Sequence, residues 1–164
     1  MTAVVVSRRL ARRARWLRWA MNCYPPYLGA GIRVRHISPD FRSLSVRMGL
    51  HWYNRNYVRT QFGGSLYSLT DPFYMLMLMH LLGPDYVVWD KAAEIEFVSP
   101  GRGEVRADFV IDDALIERIR EYTAGGDKYL PQLDVEVRDR DGQLVARVRK
   151  TLYVRLKPRL RPSA

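Results

Sequence analysis

Apolar residues recur with a helical period in the first part of the chain and with a period of two in most of the remainder. Leu10, Ala14, Leu17 and Met21 share one face of a helix predicted over residues 4–21, which the double proline Pro25-Pro26 ends. Ile32 and Val34 then alternate with Arg33 and Arg35. Leu44, Val46, Met48 and Leu50 alternate with Ser43, Ser45, Arg47 and Gly49, as half-buried strands do, with a turn at Ser38-Pro39-Asp40 between the two. The run Phe73-Tyr74-Met75-Leu76-Met77-Leu78-Met79 is apolar in every direction. A helix predicted to open at Gly63-Gly64 and to stop at Gly83-Pro84 therefore has no polar face and should be buried. A strand over 86–97 ends at Ser99-Pro100-Gly101, and Val105, Ala107, Phe109 and Ile111 mark the next. Asp112 and Asp113 can cap a short helix through Ile116 and Ile119 that ends at Gly125-Gly126. Leu133, Val135 and Val137 lead to a turn at 139–142 and a last strand over 144–156.

The order helix, two strands, long helix, two strands, short helix, two strands predicts one antiparallel sheet with helices packed on it, an α+β domain. One sheet covers only part of a helix that is apolar all round. A second copy of the sheet would cover the rest, so a homodimer is expected, with dimers and tetramers built as dimers of dimers both left open.

Length and charge refine this scheme. A chain of 164 residues, 48% of them hydrophobic, suits one core. The formal charge of +10 points toward nucleic acid until its distribution is read. Of 27 basic residues, six lie in residues 1–22 (Arg8, Arg9, Arg12, Arg13, Arg15, Arg18) and four in 155–164 (Arg155, Lys157, Arg159, Arg161), neither stretch holding an acid. The body is left with 17 basic and 17 acidic residues. The chain thus divides into a basic amphipathic helix at 1–24, a globular domain at 25–156 and a basic tail at 157–164. Nucleic-acid binding would rest on the tails alone, with no recognition motif behind it, and is not expected. The plain reading of the first segment is a capping helix with a solvated arginine face. The sharper one is a peripheral membrane contact through residues 8–19, with Trp16 and Trp19 at the headgroups of anionic lipid. An arginine-rich organellar address is a third possibility. The arginines interrupt any signal-peptide core and no window is long enough to span a bilayer, so a cytoplasmic location is expected.

Cys23 is the only cysteine, so neither an intrachain disulfide nor a CxxC metal pattern is available, and His36, His51 and His80 lack metal-ligand spacing. Neither a metal nor any other cofactor is expected. The chemistry concentrates in Phe62-Gly63-Gly64-Ser65-Leu66-Tyr67-Ser68-Leu69-Thr70-Asp71. A helix N-terminus presents unpaired N–H groups to a developing oxyanion, and glycine lets a ligand approach the backbone. A carboxylate two turns inside an apolar helix is a candidate base or nucleophile, because burying it without a role is costly. Bland readings stand beside these: a tight turn for Gly63 and Gly64, loop capping for Asn56, and a surface charge for Asp90 beside Lys91.

The spacing of Asn56, Gly63-Gly64 and Asp71, with the strand carrying Ile95-Glu96-Phe97-Val98-Ser99-Pro100-Gly101 after the helix, resembles the hotdog-fold thioesterase superfamily. The similarity is to its phenylacetyl-CoA thioesterase-like branch, whose motif reads Asn, several residues, His-Gly-Gly, six residues, Asp. Asn-Arg-Asn-Tyr at 54–57, Phe-Gly-Gly-Ser-Leu at 62–66 and Asp-Pro-Phe-Tyr-Met-Leu at 71–76 resemble a domain-of-unknown-function family within that superfamily. The resemblance implies a curved antiparallel sheet wrapped around a long central helix, and hydrolysis of an acyl-CoA or related thioester, coenzyme A entering only as part of the substrate. By position, Gly63 would donate its N–H to the oxyanion, Asn56 would hold the carbonyl or the water, and Asp71 would activate water or attack, the carboxylate coming from the neighbouring subunit. Such a donor is worth about 10²–10³ in rate and such a base about 10²–10⁴. Phe62, Gly64 and Asp90 are the expected substrate-binding positions, Asp90 near where related enzymes place a water-orienting hydroxyl, its charge raising the pKa of Asp71. Phe62 stands where the branch has histidine, and Pro72 follows the acid directly. A non-catalytic hotdog protein that binds an acyl thioester or lipid is the alternative. A hotdog dehydratase would need a histidine at the motif.

Overall fold

The computed structural model describes residues 8–161; the predicted helix start at Val4-Val5-Val6-Ser7 and tail positions 162–164 lie outside them. Helix α1 (Arg8–Asn22) turns inward the face its period selects, with Ala14 buried and Leu17 and Met21 packed on the core. Asn22 ties it to the sheet: its Nδ2 donates to Val34 O at 3.0 Å and its Oδ1 accepts from Val34 N at 2.8 Å. Pro25-Pro26, expected only to end this segment, also opens a second helix, α2 (Pro25–Ala30). Proline costs nothing there, because the first N–H groups of a helix have no intrahelical acceptor.

Six strands make up one sheet: β1 (Ile32–Ile37), β2 (Ser43–Met48), β3 (Tyr86–Phe97), β4 (Val105–Val110), β5 (Gln132–Asp139) and β6 (Leu144–Leu156). Their order is β1-β2-β4-β5-β6-β3 and every neighbouring pair is antiparallel. The period of two buries Val34, Val46, Ala107, Phe109, Val137 and Val148, which form the floor of the core. The predicted turn between β5 and β6 is built around Asp139, whose Oδ1 accepts from Asp141 N and Gln143 N, and Gly142 takes a φ of 84°. Helix α5 (Asp113–Thr123) starts as expected at Asp112, whose Oδ1 accepts from Leu115 N at 2.8 Å.

The central helix comes in two segments, α3 (Gly63–Ser68) and α4 (Phe73–Leu82), where the sequence predicts a single helix kinked at Pro72. Pro72 has no N–H to donate and disfavours helical geometry at the residue before it, so the chain turns over 69–72 and restarts at Phe73. Asp71 therefore sits in the turn and not two turns inside a helix. From α4, Phe73, Tyr74, Met77 and Leu78 are buried against the sheet, and the Phe73 and Tyr74 rings lie 5.2 and 5.0 Å from Phe109. Met75 and Leu76 are half-buried and Met79 is exposed, the face a single sheet does not reach. At the sheet's edge the twelve residues of β3 pair with β6 alone.

Candidate active site

A cavity of about 370 Å³ opens at the start of α3, large enough for part of a small-molecule substrate. Asn56, Gln61, Gly63, Leu66 and Phe97 are among its walls. The first N–H groups of α3 have no acceptor within the helix. At six residues, α3 is too short to build up much dipole, so those N–H groups themselves supply the field. A Cβ added at Gly63 would lie 3.0 Å from the Phe97 ring, so any side chain here intrudes on the cavity wall.

Asn56 reaches the same cavity, but its amide is engaged by its own loop. Nδ2 donates to Thr60 Oγ1 at 2.9 Å and to Gln61 O at 3.3 Å, and Oδ1 accepts from Thr60 N at 2.9 Å. The loop-capping reading of Asn56 is thus realised in the structure. Gln61, which no motif singles out, is buried in the cavity wall. Its Nε2 donates to Gly103 O at 2.8 Å and to Met48 O at 3.4 Å, while its Oε1 has no hydrogen-bond partner. Two carbonyls fix which end of the amide is the donor, so the spare group is an acceptor.

Phe62 and Gly64 fall in a neighbouring recess of about 550 Å³ with Arg55 and Ser68. A Cβ at Gly64 would come within 2.6 Å of the Phe62 ring, which is itself 55% exposed. Asp71 and Asp90 lie in neither recess. They meet at Lys150, whose side chain is 0% exposed. Nζ donates to Asp71 Oδ1 at 2.5 Å and lies 3.4 Å from Asp90 Oδ1, an ion-pair separation without hydrogen-bond alignment, so that oxygen has no hydrogen-bond partner. The Tyr67 ring stands 5.1 Å from the ammonium, and Tyr27 Oη donates to the backbone carbonyl of Asp71. Asp71 remains 41% exposed at its side chain and Asp90 20%.

Asp90 is thus a half-buried partner of Lys150, not the surface charge its neighbour Lys91 suggests. A register shift between Asp90 and Ala92 sets aside Lys91 and brings Asp90 opposite Leu152, a diagonal neighbour of Lys150. Burial pushes the Asp90 carboxyl above the usual carboxylate range; the Lys150 ammonium opposes this and the Asp71 charge adds to it. For Lys150, burial works against the charged form. The hydrogen bond to Asp71 and the charges of Asp90 and Asp71 outweigh it, leaving the ammonium above the ordinary lysine value. A cation whose folded pKa is raised stabilises the fold below its unfolded pKa, about 10.4, and loses that contribution as pH rises through the folded value. Thermal melts at increasing pH should therefore fall more steeply above about 10.4 for the wild type than for a Lys150→Met, Asp71→Asn, Asp90→Asn variant. Equal slopes would show that Lys150 contributes nothing through its charge.

The signal for Lys150 is present in the strand alternation. Val148, Lys150, Leu152 and Val154 share one face of β6, so a lysine occupies an inward register among aliphatic residues. Among the described residues, no group of three or more His, Cys, Asp or Glu is placed to hold a metal ion.

Solved structures with this architecture include several described as thioesterases. A Pseudomonas aeruginosa protein described as of unknown function and a probable thioesterase superposes with a TM-score of 0.76 at 19% identity, covering 90% of this chain and 96% of that one. A Haemophilus influenzae thioesterase gives 0.65 at 15% identity, with 87% and 90% covered. The PaaI protein of E. coli, from the phenylacetic acid degradation operon, gives 0.60 at 15% identity, with 91% and 95% covered. Comparison with curated protein sequences finds no match. At these identities the likeness establishes the fold: six antiparallel strands curved about the central helix, with an added N-terminal helix, the hotdog fold. A family model matches residues 12–154, most of the chain, and the chain accordingly belongs to the family described as Domain of unknown function (DUF4442).

Proposed function

We propose that the protein hydrolyses acyl-CoA or a related acyl thioester at a site shared between two copies of the chain. The observation that carries this reading is the separation within one chain of the cavity at Gly63, where the N–H groups that open α3 have no intrahelical acceptor, from the lysine-paired carboxyl group of Asp71. Neither half is a thioesterase site alone, and a second copy supplies what each lacks. The long unpaired edge of β3 and the exposed apolar side chains Met79, Trp89, Phe97 and Val98 favour such a dimer, because an edge of this kind is otherwise a liability.

In the proposed reaction the thioester carbonyl lies in the cavity with its oxygen toward the N–H of Gly63. A water gives one proton to Asp71 of the partner subunit as its oxygen bonds to the carbonyl carbon. The oxyanion then collapses, the C–S bond breaks, and the thiolate leaves with its electron pair and takes up the proton held by the aspartate. Lys150 holds Asp71 in place and keeps a counter-charge beside it.

A panel of acyl-CoA esters from short to long chain, followed with a free-thiol reagent, tests the proposal. Thiol release well above the spontaneous rate on at least one ester is expected. Background rates throughout, with CoA esters still bound, would instead establish the second reading, a non-catalytic acyl-thioester-binding protein. Two observations favour that alternative: Phe62 provides no polar group next to the donor site, and the Asn56 amide is occupied by its loop.

A further inference from the structure

We propose that α1 together with β1 forms a docking surface for an anionic lipid bilayer. The first 39 residues contain eight arginines and no acidic residue, the first acid being Asp40. In the structure the arginines converge: Arg8, Arg9, Arg12, Arg13, Arg15 and Arg18 are exposed on α1, and Arg33 and Arg35 are exposed on the adjoining edge strand β1. Arg18 donates to the carbonyl of Arg35 at 3.3 Å and Arg33 to that of Asn22 at 3.2 Å. Contacts with neutral carbonyls orient these guanidinium groups without cancelling their charge.

Trp16 and Trp19 make the surface more than a polyanion patch. They sit one helical turn apart on the outer face of α1, each 64% exposed, flanked by Arg8, Arg12 and Arg15. The inner face is already satisfied by Ala14, Leu17 and Met21, so nothing in the fold requires two indoles outside. Below Trp16 lies a recess of about 440 Å³ walled by Arg12, Arg13, Trp16, Leu17 and His80. His80 is held there by stacking on Phe41, with ring centroids 3.9 Å apart, and by Nδ1 lying 2.8 Å from Leu76 O. An apolar recess under two guanidinium groups suits a phosphate headgroup with the start of its acyl chain. Indoles set among arginines match a helix lying in the plane of the headgroups. Charge complementarity makes the bilayer an anionic one. Among the described residues no helix is long and apolar enough to cross a membrane, so the contact is peripheral.

Each arginine near such a surface contributes about 1 kcal/mol, or roughly five-fold in partitioning. Full-length protein would be sedimented with phosphatidylcholine vesicles and with vesicles carrying about 30% phosphatidylserine. Pelleting on the anionic vesicles only, a blue shift of tryptophan emission, and weakening as added salt shortens the Debye length are expected. Arg12→Glu with Arg15→Glu should weaken binding by about 10²–10³-fold. Trp16→Phe with Trp19→Phe should abolish the emission shift. All four side chains are exposed, so far-ultraviolet circular dichroism should be unchanged. Equal pelleting on neutral and anionic vesicles overturns the proposal, as does binding that the charge reversal leaves unaltered. Tighter binding to a single-stranded oligonucleotide than to anionic vesicles would make this a nucleic-acid face and also overturn it. None of these readouts depends on thioester hydrolysis.

Discussion

Asp71→Asn is expected to lower kcat for acyl-CoA hydrolysis by about 10²–10⁴-fold with little change in KM, the loss of a placed base. The amide keeps the shape of the side chain and can still accept from Lys150, and Asp90 remains as the counter-charge, so the fold should survive. A second variant makes the result specific. Gly63→Val places its side chain against Phe97 at the mouth of the cavity and should remove activity by crowding the donor site, costing about 10²-fold or more. Phe97 is exposed and can swing away, which spares the fold. Co-expression of the two inactive chains then separates a shared site from a site within one chain. In a mixed dimer one of the two sites joins an intact Gly63 to an intact Asp71 of the other subunit, so about a quarter of wild-type activity should return. A mixture as inactive as its components would refute the shared site, and wild-type kcat in Asp71→Asn would remove Asp71 from the chemistry.

Lys150→Met should destabilise the protein by about 3 kcal/mol, lowering Tm by about 6–12 °C at pH 7. Removing one partner of a buried ionic cluster leaves the others uncompensated, and here two carboxylates would face each other across an apolar side chain. The lower end of the usual range applies because Asp71 is 41% exposed and keeps part of its hydration. Adding Asp71→Asn and Asp90→Asn to Lys150→Met should recover part of that loss, since no uncompensated charge then remains in the cluster, although the amides lose their lysine partner. Thermal melts of the single and triple variants check both statements. A single variant as stable as the wild type, or a triple variant no better than the single, would show that the three groups do not form one electrostatic unit.

Most of the strand pattern is legible in the sequence because each strand has one face on the core. Val105, Ala107 and Phe109 alternate with exposed residues, and the period of two is the direct result. Gly142 and Asp139 carry the chemistry of their own turn, and Asp112 that of its cap. Helix α2 escapes a reading of the sequence because Pro25-Pro26 looks like an ending, although the same residues are suited to a helical first turn. The effect of Pro72 is legible in kind as a kink, but the apolar run behind it hides that the helix breaks there and restarts at Phe73. Lys150 is hidden by the neighbouring Arg147 and Arg149, which make the segment look like a solvated basic strand. Its burial depends on a face counted outward from Val148 and Leu152. Nothing local to Gln61 distinguishes it, since its partners at Met48 and Gly103 come from β2 and the loop before β4.

Sequence alone determined the fold class, the succession of the six strands, the concentration of arginine in the first helix, and the spacing from Asn56 through Gly63 to Asp71. These are properties of neighbouring residues, set by periodicity, by turn and cap chemistry and by composition. Tertiary structure alone decided which of the spaced residues meet. Asn56 and Gly63 share a cavity, Asp71 is drawn to Lys150 and Asp90, and Trp16 stands outward beside Arg12 over a recess closed by His80. The physical reason is that burial and charge pairing are set by strand order and by a one-residue register shift near Asp90, which join positions 60 to 80 residues apart. No local pattern encodes such pairings.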